Sequence, residues 1–182
     1  MRGRCAECGF DADHTSVSDS VNALRSFPRR WGAALALLDR EDDDVLRRRP
    51  SPGVWSALEY LAHTRDAIAV NAWAMNEALV KDHPVLDWPG GGDPSAPADD
   101  DPISTTPDAD TGLAELKANC DRVADKAQHV DAGDWRRGAT LRGGRDEEVD
   151  ALWLLHHCVH EGVHHLRDVQ RGLQQVRGRV AG

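Results

Sequence analysis

Residues 155–166 read Leu-His-His-Cys-Val-His-Glu-Gly-Val-His-His-Leu and place five of the chain's nine histidines within ten positions. They sit in a longer stretch whose apolar residues, Val149, Leu152, Trp153, Leu155, Val159, Val163, Leu166, Val169 and Leu173, recur at the intervals of one helix face. That pattern predicts a helix from about Glu147 to about Val176, with imidazoles set among its apolar positions. Residues four apart on a helix have Cβ atoms about 5–6 Å apart, so His160 and His164 can both reach one metal ion. His156 and His160 share that spacing, and Glu161 can either coordinate or accept a proton, so spacing alone leaves these choices open.

Two imidazoles on one helix leave a first-row metal short of ligands, and a facing helix of a bundle supplies the next one. Ser51-Pro52-Gly53-Val54-Trp55 has the composition of a turn, and Ser56 with Glu59 three residues later forms a capping box that opens a helix running to about Val80. The inward stripe of this helix includes Leu58, Leu61, Ala62 and Ala69, which sets His63 on or beside the buried face as the third candidate ligand. Three protein ligands leave a coordination position open to water or substrate, which is the arrangement of a catalytic rather than a structural site. Asp168, four residues after His164, and Asp66, three after His63, are candidates to hold a ligand's second ring nitrogen.

Two more helices are expected. Thr15, Ser16 and Ser18 offer N-caps for the first, read as residues 16–39, with Val17, Val21, Leu24, Trp31 and Leu35 facing inward and Pro28 expected to interrupt or kink it. Leu113, Leu116, Cys120, Val123 and Ala127 mark another that ends near Gly133, with Cys120 read as a small buried residue. Between Asp82 and Asp110, six prolines and Gly90-Gly91-Gly92 predict a long loop, and Trp135–Arg145 reads as a connection, briefly extended near Thr140 and Leu141. Four long helices without convincing strands predict an all-α four-helix bundle over residues 16–182, after a Cys-containing extension over residues 1–15.

Composition narrows the function. A net charge of −9 over 182 residues would repel a phosphate backbone, which argues against nucleic acid as a partner. Apolar runs such as Ala33–Leu38 fall far short of the roughly 20 residues that a membrane span needs. The start, Met-Arg-Gly-Arg-Cys, has no apolar segment behind it, so a reducing cytoplasm is expected and the four cysteines read as metal ligands, redox groups or buried residues. Cys5-Ala6-Glu7-Cys8-Gly9-Phe10 has the tight spacing of a zinc knuckle, for which His14, Cys158, His156, His157 or His165 could complete a second, closed metal site. A redox dithiol fits less well, because no strand-to-helix turn is predicted there.

Two segments, Pro52-Gly53-Val54-Trp55-Ser56-Ala57-Leu58-Glu59-Tyr60-Leu61-Ala62-His63 and His160-Glu161-Gly162-Val163-His164-His165-Leu166, resemble the DinB superfamily, and the resemblance covers most of residues 16–176. That superfamily includes DinB-like proteins and the S-transferases and maleylpyruvate isomerases that use mycothiol or bacillithiol. The resemblance implies an up-down-down-up bundle with a metal triad of His63, His160 and His164, zinc as the metal, and nickel or iron in related sites. It also implies a small thiol such as mycothiol attacking a small electrophile; in that reaction Glu161 is the candidate proton acceptor from its place in the motif, and a homodimer is one expected assembly. The competing expectation is a non-catalytic metal-binding bundle with a structural or stress-associated role.

Overall fold

The computed structural model describes residues 3–35, 43–88, 108–143 and 146–180. Four long helices dominate it: α1 (Val17–Leu35), α3 (Ala57–Val80), α4 (Ala109–Ala127) and α5 (Ala151–Val180), with a short α2 (Asp43–Arg47) between the first two. Each of α1 and α3 packs against both α4 and α5, so α1 and α3, the first two long helices in the chain, stand across the bundle diagonal. Trp31, Phe27, Leu24, Leu61, Ile68, Met75, Leu116, Leu154 and Leu155 fill the space between them, all fully buried. Their removal from water is the main stabilising term of the fold.

The expected capping box is present: Glu59 N–H donates to Ser56 Oγ (3.3 Å) and Ser56 N–H donates to Glu59 Oε2 (2.7 Å). Arg49 donates to both oxygens of the same carboxylate, 2.6 Å at the shortest, so the start of α3 is fixed from two sides. Asp108 caps α4 by accepting from Thr111 N–H (2.7 Å). At the head of α5, Asp150 Oδ1 accepts from Trp153 N–H (2.8 Å).

The structure corrects the sequence reading in several places. Beyond the extended stretch expected near Thr140 and Leu141, which is β2 (Gly138–Arg142), two further short strands were not expected: β1 (Val85–Asp87) and β3 (Glu147–Asp150) flank it in one sheet, with β1 parallel to β2 and β3 antiparallel to it. Glu147–Asp150 therefore belongs to a strand, and α5 begins at Ala151. Four residues with one apolar side chain carry too little alternation to announce a strand, and the pairing with β2 decides it. The sheet also closes α3, because Arg137, beside β2, donates to the carbonyls of Ala78 (3.1 Å) and Lys81 (2.8 Å) at its C-terminus. Helix α1 runs through Pro28 without interruption, and α4 ends at Ala127 rather than near Gly133. The expected continuation of the first helix to residue 39 and most of the Pro-rich loop lie outside the described residues.

Gly162 of α5 packs directly against Phe27 of α1. A Cβ there would stand 2.2 Å from the Phe27 ring, and Trp31 Nε1 donates to the Gly162 carbonyl (3.2 Å). The glycine inside the histidine motif is thus a packing requirement of the bundle.

Candidate metal centre

Helix α5 presents two neighbouring sets of donors, because consecutive residues on a helix are rotated by about 100°, and a third grouping of His164, His165 and Asp168 bridges them. His160 and His164 occupy one face; Glu161 and His165, with the same four-residue spacing, occupy the next.

On the second face, Glu161 Oε2 lies 3.2 Å from His63 Nε2, brought in by α3, and 3.2 Å from His165 Nε2. One ligand atom from each of His63, Glu161 and His165 lies within 4.8 Å of the other two. Glu161 Oε1 faces His157 Nε2 at 3.3 Å and His160 Nδ1 at 3.6 Å. Burial opposes the charge on Glu161, yet the imidazoles of His157, His160, His165 and His63 hold its carboxyl well below the ordinary value. A buried carboxylate ringed in this way needs cations beside it, either ring protons or a metal ion.

His165 is anchored from behind. Its Nδ1 donates to Asp168 Oδ2 at 2.9 Å, and Arg171 pairs with the same carboxylate. Burial pushes its pKa down, but Asp168 and Glu161 overcome this and raise it to about 9. An imidazole that donates one nitrogen to a carboxylate and aims the other at a donor cluster has the usual orientation of a metal-ligating histidine. Aromatic walls complete this side: the Trp55 ring lies 5.0 Å from the His63 ring, and Tyr60 stacks on His165 at 5.3 Å. Trp55 is both a buried residue and a neighbour of the site. The donor set of two imidazoles and a carboxylate, with one ring nitrogen already oriented, fits a divalent first-row metal.

The first face holds a different set. Cys5, Cys8, His160 and His164 each contribute one atom to a group within 4.8 Å, and the separation of Cys5 Sγ from His164 Nδ1 is 3.7 Å. Both ring nitrogens of His160 are buried without a hydrogen-bond partner. Among the described residues, no such group contains His63 together with His160 and His164; the three expected ligands are divided between the two faces.

Other expectations resolve as follows. Of the two outer carboxylates, Asp168 supports a histidine, whereas Asp66 accepts from Arg65 (2.7 Å). Cys158 points toward α3, its thiol donating to the Ile68 carbonyl (3.8 Å), and His14 pairs with Asp11 at the surface, so neither joins Cys5 and Cys8. Cys120 is fully buried on α4, as expected. A cleft of about 440 Å³ opens at the head of α5, between Asp13, Arg136, Trp153 and His156, and no donor of either set lines it.

A family model described as the DinB superfamily matches residues 26–169. The chain belongs to the DinB superfamily. Among solved structures it is similar to YfiT from Bacillus subtilis, described as a probable metal-dependent hydrolase with an unusual four-helix bundle topology. The TM-score is 0.69 at 16% identity, over 91% of this chain and 87% of that one, a likeness of fold. A search of the curated proteins finds no match. This DinB bundle therefore carries a histidine-rich region able to hold metal, and among the described residues no helix is long and apolar enough to cross a membrane.

His165 is the donor that sequence reasoning did not place beside His63. Its signal was available, since Glu161 and His165 are spaced like His160 and His164. Spacing could not say which pair α3 would meet.

Proposed function

We propose that this DinB protein is a metal-dependent enzyme whose ion is held by His63, Glu161 and His165, and which delivers water or a low-molecular-weight thiol such as mycothiol to a small electrophile. The observation that carries the reading is the convergence of these three donors, with His165 oriented by Asp168. A divalent ion in this cradle, zinc above all and nickel or iron by the same donor chemistry, lowers the pKa of a coordinated water or thiol so that the nucleophile is present near neutral pH.

The surrounding residues have distinct parts. His63, with 19% of its side chain exposed, is the most accessible of the three donors, so substrate approaches from its side. Trp55 and Tyr60 form an apolar wall there that favours a compact organic electrophile. Burial, and next the charge of Asp168, push the Tyr60 hydroxyl up to about 12, so it keeps its proton and can donate to a bound substrate. Glu161 serves as ligand in this reading, the alternative to the proton-acceptor role that its place in the motif also allows. His160 and His164, the other two members of the implied triad, lie instead within 4.8 Å of the amino-terminal cysteines.

The test is metal content and turnover in native chain purified without a metal-affinity tag, against His63→Ala and His165→Ala. Loss of one metal equivalent per chain and of activity in both variants supports the reading. Unchanged metal content in both overturns it. Running the substrate screen with and without added thiol separates hydrolysis from thiol transfer.

A further inference from the structure

Residues 3–14 lie across α5 and end in a short 3-10 turn, Ala12–His14. Within this lead, Cys5 N–H donates to the Phe10 carbonyl (2.8 Å) and Gly9 N–H donates to the Cys5 carbonyl (2.9 Å). Gly9 has a φ of +76°, a left-handed conformation that a side chain would strain. Phe10 N–H points at Cys8 Sγ at 3.4 Å. The loop thus turns both sulfurs toward one point and places a backbone amide behind one of them, as metal knuckles do.

That point faces His160 and His164. The four side chains approach within 4.8 Å atom to atom, and donors around a tetrahedral zinc would stand roughly 3.3–3.8 Å apart given the usual Zn–S and Zn–N lengths. Only a small contraction separates the two. The buried nitrogens of His160 have no hydrogen-bond partner, a cost that a native structure ordinarily avoids; a metal bond would satisfy one of them, and Nδ1 has Glu161 Oε1 at 3.6 Å. The Nε2 of His164 lies 3.3 Å from Glu7 and 3.6 Å from Asp168, so its Nδ1 is the nitrogen turned toward Cys5.

We propose that Cys5, Cys8, His160 and His164 bind a divalent ion of the zinc class as a closed, four-ligand structural site, distinct from the one assigned to the reaction. Binding releases the thiol protons to solvent and fixes the lead to the last helix. Arg167 donates to the Glu7 carbonyl (2.9 Å) and gives the lead a second, metal-independent anchor on the same helix. Because His160 and His164 alternate with Glu161 and His165, the structural ion also sets the rotation of α5 at the reactive site.

The test uses the full chain without a histidine tag, stripped by a chelator under reducing conditions and titrated with cobalt(II). The proposal expects thiolate-to-cobalt charge-transfer absorption and intense tetrahedral ligand-field bands that saturate at one equivalent and are displaced by zinc. These bands persist in His63→Ala and disappear in Cys8→Ser and in Cys5→Ser, each checked for native helicity by circular dichroism. A native chain that keeps its helicity yet shows no charge-transfer band overturns the proposal, and so does a band that survives both cysteine substitutions. Failure of the reactive site would instead appear as unchanged metal content in His63→Ala, with the sulfur band untouched.

Discussion

The two donor sets on α5 differ in chemistry, in closure and in how they are assembled. One unites two sulfurs and two imidazoles, and its partner strand is a local loop of six residues, Cys5–Phe10. The other unites two imidazoles and a carboxylate, draws His63 from a helix 98 residues away along the chain, and is flanked by the rings of Trp55 and Tyr60. Four soft and borderline donors saturate a tetrahedral ion and make a staple; three harder donors do not, and leave chemistry possible. A shift of one residue along the helix separates the two roles.

The substitution with the largest expected effect strikes the residue that faces both sets. Glu161→Ala removes a buried carboxylate contacted by four imidazoles and should cost about 3–5 kcal/mol in denaturant unfolding of the metal-free chain. Equal stability of the variant would mean that the two sets are organised independently of it.

The side of α5 that carries Gly162 takes part in neither donor set and provides a control. Gly162→Ala drives a methyl into the Phe27 ring and should destabilise by about 1–3 kcal/mol, with partial rescue by Phe27→Leu, while cobalt still binds both sites. Loss of cobalt binding in a folded variant would show that the sites depend on the α1 contact more than on their own ligands.

Asp168 sharpens the contrast most directly, since it contacts His165 at 2.9 Å but His164 at only 3.6 Å. Asp168→Asn should weaken metal at His63, Glu161 and His165 by about 10–100-fold and leave the sulfur-containing site nearly unchanged. Competition titrations against a chromogenic chelator would measure both affinities, and equal weakening would remove the distinction.

The smallest effect belongs to the start of α3, which positions His63 but not the cysteine loop. Burial raises the pKa of Glu59, but Arg49 and the Ser56 amide lower it further, and the net shift is downward. Its contribution is therefore present above the unfolded carboxyl range and is lost as pH falls through the depressed folded value. Glu59→Gln should lower stability by about 1 kcal/mol at neutral pH, or roughly 2–4 °C in Tm, and match the native chain in strong acid. A constant difference across that pH range would assign the effect to packing rather than charge.

Much of this architecture was legible before any coordinates. The apolar period of residues 152–173 announced α5, the Ser56 and Glu59 pair announced the first turn of α3, and the clustered histidines announced a region able to hold metal, because each signal is local and repeats with the helix. The small sheet was not legible, since β1, β2 and β3 hold three to five residues each and are strands only by virtue of their pairing. The division of donors was not legible either. The motif His160-Glu161-Gly162-Val163-His164-His165 contains two overlapping pairs at the same spacing, and intrinsic geometry treats them alike. Only the tertiary structure distinguishes them, because the packing of α3 against α5 sets His63 beside Glu161 and His165, while the amino-terminal lead sets Cys5 and Cys8 beside His160 and His164.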